Sequence, residues 1–238
     1  MAALAPRPDE HILDVGCGAG QTLIQLAEAV GPGGEVVGVD IAPLLLSIAR
    51  DQVAGLANVS LIEGDAQTTP LPAGLFDAVF SRFGVMAFAD PVAAFSNLRQ
   101  ALKPEGRLAF VCWRSLAENE LDLLPLRAAG LEARADMTPF TFEHPDRIHA
   151  VLSRVGFRDI AVEPHDQNVG SGGLEAMLAV LLAVGPLGKI LRENPSLRDR
   201  AEPLVRQMLA SRDGPDGATL KAATWIVTAR AGTAPLSS

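Results

Sequence analysis

A glycine-rich turn that begins with an acid is the strongest chemical signal in this sequence. Residues 14–20 read Asp-Val-Gly-Cys-Gly-Ala-Gly, directly after a short apolar run and directly before a stretch of helical periodicity. Glycine allows a close approach of backbone to ligand, and the start of a helix offers free N–H groups and the positive end of its dipole. The sequence therefore predicts a strand-to-helix turn that can hold an anion.

Two further acids follow the next two apolar runs. Asp40 closes the run VVGVD, and Asp65 follows a third run in Glu-Gly-Asp-Ala. A carboxylate at the first position can accept both hydroxyl protons of a ribose, and one at the second can accept from an exocyclic amine such as that of adenine. Each acid alone could instead cap a helix or occupy a loop. Together with Asp14, at the ends of three successive strands, they indicate a nucleoside-containing ligand.

The type of nucleoside depends on one position in the turn. A dinucleotide fingerprint, G-x-G-x-x-G counted from Gly16, needs a third glycine where Gln21 stands. The chain also has no tyrosine and hence no Tyr-x-x-x-Lys pair. Both observations weigh against a nicotinamide-dependent oxidoreductase, which remains an alternative, as does a binding module without turnover.

Alternating strands and helices must position these residues. Apolar runs predict strands at 12–15, 35–39, 60–63, 76–81 and 108–113, and helical periodicity predicts helices at 20–30, 43–56 and 91–102. The KPEG sequence at 103–106 is predicted to stop the last helix and turn into the fifth strand. This alternation is typical of an α/β protein with a parallel sheet covered by helices.

The second half of the chain is less regular and is predicted to complete one domain over residues 1–238. A cap over the pocket is expected at about 114–143, with one helix near 118–130. A helix at 144–155 and strands at 157–162 and 224–229 follow. Between those strands, a helical insertion at about 163–223 begins with a flexible GSGG at 170–173 and continues as an apolar helix from 174 and a charged one at 196–212.

Four motifs in order resemble a known family. ILDVGCGAG, VVGVDIAP, EGDAQTTPLPAGLFDAVFSRF and LKPEGRLAFVCW look like the successive motifs of class I S-adenosylmethionine-dependent methyltransferases, similar to the ubiquinone and menaquinone biosynthesis group. The resemblance covers about residues 11–113 and is specific for the cofactor, not for the substrate. It implies a three-layer Rossmann-like sheet of seven strands in the order 3-2-1-4-5-7-6, with the last strand antiparallel. It also implies S-adenosylmethionine as cofactor and S-adenosylhomocysteine as product.

The resemblance also implies roles for individual residues. The implied cofactor contacts are Asp14, Gly16, Cys17, Gly18, Gly20, Asp40, Ile41, Asp65, Ala66 and Ser81. Asp14 would assist near the amine of the methionine part, and Asp40 would hold the ribose. Ile41 would pack on the adenine, Asp65 and the following amide would read the adenine edge, and Ser81 would lie near the methionine part.

A methyl acceptor is expected to enter beside the fourth strand. A sulfonium already carries an activated methyl group, so the protein mainly holds donor and acceptor in line and excludes water, and a general base is optional. The candidate acceptor contacts are Arg82, Phe83, Met86, Trp113 and His144, and Phe88 also follows the fourth strand at this edge. They would suit an apolar or aromatic acceptor with an acidic group, although the aromatic residues could equally be core packing. No catalytic base is assigned.

Composition narrows the class of partner. The net charge of −8 and the lack of a basic cluster give no support for a nucleic acid. The longest apolar stretch, 174–187, is interrupted by Glu175, Gly185 and Pro186, so no transmembrane helix is expected. Only two cysteines and no secretory signal suit the cytoplasm, no metal site is expected, and a homodimer is possible.

One departure from the family concerns the start of the chain. About ten residues precede the first strand, whereas relatives usually have a helix or more there that covers the cofactor. The sequence leaves three expectations open: the insertion after residue 163 supplies the cover, a partner chain supplies it, or the start of the chain is truncated.

Overall fold

A computed structural model describes residues 1–212, 214 and 217–232, which form seven strands and eight α-helices. The strands are β1 (His11–Val15), β2 (Glu35–Asp40), β3 (Val59–Glu63), β4 (Phe76–Arg82), β5 (Leu102–Trp113), β6 (Phe157–Gly170) and β7 (Thr219–Ala231). The helices are α1 (Gln21–Val30), α2 (Pro43–Val53), α3 (Pro91–Ala101), α4 (Glu120–Ala129), α5 (Pro145–Arg154), α6 (Leu174–Ala183), α7 (Gly185–Glu193) and α8 (Arg198–Ala210).

The strands form one seven-stranded sheet in the order β3-β2-β1-β4-β5-β7-β6, with β7 antiparallel, which confirms the predicted topology. β3, β2, β1, β4 and β5 are parallel neighbours. Their near-continuous apolar sequences fit strands that helices cover on both faces. Because parallel strands share one carboxyl edge, the turns after β1, β2, β3 and β4 all open at that edge.

The register aligns the ends of these strands. Val15 of β1 pairs with Val39 of β2, and Asp14 pairs with Phe80 of β4. Asp40, the last residue of β2, pairs with Glu63, the last residue of β3. The predicted site residues at the ends of β1 and β2 therefore lie at the same level of the sheet.

The turn predicted at 103–106 is a bulge inside β5. Phe76 of β4 pairs with Leu102, but Ala78 pairs with Arg107, so the intervening residues of β5 loop out of the ladder. Glu105 has a left-handed backbone with φ of 63°. The lysine, proline and glycine do interrupt the ladder, but the chain on both sides stays paired with β4, so the strand begins at Leu102 and not at 108.

Two strands are much longer than the sequence predicted. β6 continues to Gly170 and β7 begins at Thr219, whereas strands were expected only at 157–162 and 224–229. Thr224 Oγ1 donates to the carbonyl oxygen of His165 at 2.7 Å. Much of the added length in β6 is exposed polar sequence. Backbone pairing between strands forms it, and apolar periodicity gives no signal for such a segment.

The helices follow the predictions with small differences in their ends. α2 ends at Val53 and not at 56, just before Gly55, and the predicted apolar helix from 174 is two helices, α6 and α7. The other observed helices begin and end within two residues of their predicted bounds.

The chain divides into two compact units. The first comprises Met1–Cys112, His144–Glu163 and the C-terminal stretch from Trp225. One of its cores packs α1 and α2 against the central strands, with Leu23, Leu26 and Leu46 fully buried. Its N-terminal segment is tied to β5 by Arg107, which pairs with Glu10 and donates to the carbonyl oxygens of Leu4 and Ala5. The elements that lie entirely within this unit are β1 to β4 and α1, α2, α3 and α5.

The second unit comprises Trp113–Glu143 and Pro164–Thr224. Its core is a separate apolar cluster formed by α4, α6, α7 and α8, with Leu126, Met177 and Val205 completely buried. The predicted cap and helical insertion thus contribute to the same unit.

No single helix in the described part of the chain is long and apolar enough to cross a membrane. α6 and α7 are long and apolar enough only when they are taken together, and a bend of 60° separates them. Seven residues of this pair are buried hydrophobics within the core of the second unit: Met177, Leu178, Leu181, Leu182, Leu187, Ile190 and Leu191.

Candidate functional site

A cavity of about 350 Å³ opens at the carboxyl ends of the parallel strands in the first unit. Its wall is formed by the turns after β1, β2, β3 and β4, as expected for a ligand site in an α/β sheet. The lining residues are Val15, Gly16, Gly18, Val39, Asp40, Ile41, Leu45, Gly64, Asp65, Ala66, Arg82, Phe83, Gly84, Ala87 and Phe88.

The turn after β1 approaches the turn after β4 at backbone distance. Gly16 has a φ of 70°, and a Cβ on it would lie 2.6 Å from the Cα of Gly84. A Cβ on Gly84 would in turn lie 2.4 Å from the carbonyl oxygen of Val15. Ser81 joins the two turns, because its Oγ donates to that Val15 oxygen at 2.7 Å and accepts from the Gly84 N–H at 3.1 Å. Glycine is therefore required at both positions.

Asp40 links the turn after β1 to the start of α2. Its Oδ2 accepts from the Gly18 N–H and its Oδ1 from the Ala42 N–H, both at 2.8 Å. These two bonds fix the carboxylate at the cavity wall. An ionised carboxylate has about four lone-pair sites, so it retains acceptor capacity toward a ligand.

The turn after β3 supplies a second open carboxylate. Oδ1 of Asp65 accepts from the Gln67 N–H at 2.9 Å, which fixes its orientation. Asn97 holds the same turn by donating to the carbonyl oxygens of Ala66 and Thr69. Ile41 is 67% exposed, so the wall between the two acids presents an apolar side chain.

Asp14 differs from the other two acids because it is fully buried and does not line the cavity. Its Oδ2 accepts from Thr22 Oγ1 at 2.5 Å, and its Oδ1 has no hydrogen-bond partner. Burial raises the pKa of Asp14 to about 7, although the Thr22 hydroxyl and the charge of Arg82 act in the opposite direction. Asp14 is therefore a carboxyl group within the core of the turn that is easily protonated.

Other predicted cofactor contacts also lie outside the cavity wall. Cys17, Gly20 and Ser81 are buried and do not line it. Gly20 is the N-cap of α1 with φ of 92°, and the Cys17 side chain packs in the core. Burial raises the pKa of Cys17 to about 12, so its thiol is neutral at ordinary pH.

The predicted acceptor contacts are dispersed. Arg82 and Phe83 line the cavity, whereas Met86 is buried and does not. Trp113 belongs to the second unit and packs against its core. His144 is exposed at the N-terminus of α5. The cavity thus contains two of these five residues.

Several lining residues were not predicted from the sequence: Leu45, Gly64, Gly84 and Ala87. Gly84 and Ala87 follow β4 closely, so their distance along the chain from Ser81 was an available signal. Leu45 gives no such signal, because its place at the cavity wall depends on how α2 is oriented in the fold. Among the described residues, no group of three or more histidine, cysteine, aspartate or glutamate side chains could hold a metal ion.

Comparison with known sequences finds similarity to methyltransferases in the part of the chain that contains the cavity wall. Residues 12–106 match a family described as a methyltransferase domain. Over 105 residues the chain is 43% identical to nocamycin O-methyltransferase of Saccharothrix syringae, covering 43% of this chain and 38% of that relative. Over 106 residues it is 37% identical to a demethylmenaquinone methyltransferase of Staphylococcus aureus, covering 44% of each. The matched stretch spans less than half the length of these curated relatives.

Comparison with solved structures extends the likeness to most of the chain. Phosphoethanolamine N-methyltransferase 2 of Haemonchus contortus, solved with phosphomonomethylethanolamine and S-adenosylhomocysteine, has a TM-score of 0.61 at 20% identity. The match covers 95% of this chain and 50% of that one. At this low identity the likeness shows a shared fold.

The contact between Gly16 and Gly84 predicts different costs for two alanine substitutions in one turn. Gly16→Ala must separate two backbones and should lower the free energy of unfolding by roughly 2 kcal/mol or more. Gly18 has a comparable φ of 55°, but a Cβ on it would meet no atom within 4 Å. Gly18→Ala should therefore lower the free energy of unfolding by only about 1 kcal/mol. Urea unfolding of both variants measures the difference, and equal costs would contradict the close contact.

The burial of Asp14 predicts a pH-dependent stability. The folded pKa of about 7 lies above the ordinary 3.8, so folding favours the protonated form and the contribution of Asp14 to stability falls as pH rises from about 4 to 7. Asp14→Asn should remove this dependence. As pH rises from 4.5 to 7.5, the free energy of unfolding of the variant should therefore increase by roughly 3 kcal/mol relative to that of the parent protein. Urea titrations across that range measure it. Asp51→Asn, on an exposed position of α2, is the control and should not gain in this way.

Proposed function

We propose that this chain transfers a methyl group from S-adenosylmethionine to a small-molecule acceptor by in-line displacement. The match of residues 12–106 to a methyltransferase domain and the order of the seven strands support this proposal. The observation that carries the proposal is the cavity at the strand ends, which combines a glycine turn with two fixed carboxylates. The cofactor supplies an activated methyl group on a sulfonium when bound.

The cavity wall fits the donor molecule. A Cβ on Gly18 would meet no protein atom within 4 Å, and Gly18 lines the cavity, so a ligand can approach its backbone closely. Asp40 would accept from the ribose hydroxyls, and Asp65 from the exocyclic amine of adenine. Ile41 and Leu45 present apolar surface between and beside them for a planar base. The fully buried Asp14 would act through the turn that it supports, since it does not line the cavity.

The other side of the cavity favours an apolar or aromatic acceptor. Phe83, Ala87 and Phe88 line it after β4. Phe83 has a φ of 66°, which is unfavourable for a side chain of this size, and its N–H is bonded to the carbonyl oxygen of Val111 at 3.0 Å. Such strain is retained where the surrounding structure holds the residue in place, often at ligand sites. A Phe whose backbone is held in this way at the cavity wall can orient a planar acceptor.

The protein's contribution to the reaction would be positioning and exclusion of water. In-line transfer from a sulfonium needs the acceptor atom held against the methyl group, and proximity of this kind supplies a large part of the rate acceleration. No general base is assigned, because one is needed only where the acceptor must lose a proton before or during attack, as a phenol, alcohol or carbon acid usually must. The cover of the cavity by the cap and insertion, the cytoplasmic location and the homodimer stay predictions from the sequence.

Calorimetry and a transfer assay test the proposal. The protein should bind S-adenosylhomocysteine with one site per chain, and it should transfer labelled methyl from S-adenosylmethionine to at least one member of a panel of apolar and aromatic acceptors. The absence of binding at millimolar ligand would refute the proposal. Binding without transfer to any acceptor would favour a binding module without turnover.

The Asp40 carboxylate provides a specific test of the cofactor site. Asp40→Ala should weaken binding of S-adenosylhomocysteine by about 10-fold or more, because hydrogen bonds from a ribose to a charged group are lost. Glu63→Ala is the matched control, since Glu63 is the register partner of Asp40 but does not line the cavity. Thermal unfolding without ligand separates lost binding from lost folding. Equal affinities for the two variants would contradict the role of Asp40.

A further inference from the structure

Arg82 occupies a specific place in the charge pattern of the cavity. Arg82 is the last residue of β4. Asp14 of β1 pairs with Phe80 of β4, so two residues further along both strands Arg82 lies opposite Gly16. Among the lining residues, all of which are described, it is the only cation, beside the anions Asp40 and Asp65. The guanidinium also lowers the pKa of the buried Asp14 against the larger effect of burial, which reflects its closeness to the turn.

The strand order sets a sequence of chemical groups along the cavity. From β3 through β2 and β1 to β4, the strand ends present Asp65, then Asp40, then the glycine turn, then Arg82. Three strand spacings of about 4.8 Å separate the two ends of this series. S-adenosylmethionine also has a fixed order of groups: adenine amine, ribose hydroxyls, sulfur, and an amino acid whose carboxylate is its only anion. With the base and ribose at the two acids, that carboxylate lies toward β4.

Gln21 holds the Arg82 side chain in this place. Oε1 of Gln21 accepts from Nη2 of Arg82 at 2.9 Å. Gln21 is the first residue of α1, so its position follows directly from the glycine turn. Within residues 1–212, 214 and 217–232 this is the single hydrogen bond that the Arg82 side chain forms, and a guanidinium has five N–H donors. The remaining donors are available to a planar carboxylate, which Arg binds in a bidentate manner.

We propose that Arg82, oriented by Gln21, binds the carboxylate of the methionine part of the cofactor. Arg82 is then a cofactor-binding residue. This differs from the sequence-based expectation, in which Arg82 contacts an acceptor with an acidic group. Gln21 is a positioning residue, and it stands where a dinucleotide-binding turn needs its third glycine. The inference rests on the proposed function, because it assumes that S-adenosylmethionine is the ligand of this cavity.

Calorimetry with two ligands tests the pairing of one side chain with one ligand group. The probes are S-adenosylhomocysteine and its decarboxylated analogue, which keeps the amine and lacks the carboxylate. The parent protein should bind S-adenosylhomocysteine about 10-fold or more tightly than the analogue. Arg82→Ala should reduce this preference to about 2-fold or less while leaving affinity for the analogue nearly unchanged. Gln21→Ala should give an intermediate preference, and Arg82→Lys should restore part of it.

Control variants and outcomes separate this inference from the proposed function. Arg154→Ala removes an exposed arginine of α5 outside the cavity wall and should keep the full preference. Thermal unfolding checks that each variant is folded. An unchanged preference in Arg82→Ala, or no preference in the parent protein, overturns the role of Arg82 and leaves the proposed function standing. Failure of the parent protein to bind either ligand overturns both.

Discussion

The contact between the backbones of Gly16 and Gly84 sets the distance between the two halves of the cavity wall. Neither residue has room for a Cβ, and Ser81 holds both turns with one hydroxyl group. Because the two turns lie directly against each other, the residues after β4 stand beside the glycine turn and not behind it. The places of Arg82 and Phe83 at the cavity, and hence the charge pattern of the site, depend on this contact.

The environment of each acid decides what it can do. Asp40 and Asp65 are partly exposed and receive backbone N–H groups, which hold an ionised carboxylate in a defined direction. Asp14 is buried with one oxygen unpartnered, and burial raises its pKa to about 7. A bound ligand with a positive charge nearby would favour its ionised form. Three acids that look equivalent in the sequence thus divide into two groups that line the cavity and one internal group.

The two compact units carry different kinds of information. The first unit contains the whole cavity wall, and the matched family segment, 12–106, lies within it. The second unit has its own apolar core and lies entirely outside that segment. The proposed cofactor site therefore lies wholly within the part of the chain that is similar to methyltransferases. This similarity does not determine the acceptor, since fold and cofactor motifs do not fix a substrate.

The sequence by itself determined the first four strands, the glycine turn and the carboxylates at Asp40 and Asp65, because apolar runs, glycines and acids at strand ends are local signals. It also determined the sheet order through the resemblance carried by those motifs. Only the tertiary structure decided that Asp14 is buried, that Trp113 packs in the second unit and that Gln21 holds Arg82 at the cavity. Gln21 and Arg82 are 61 residues apart. Such contacts depend on strand order and register, which bring together residues whose separation along the chain carries no local signal.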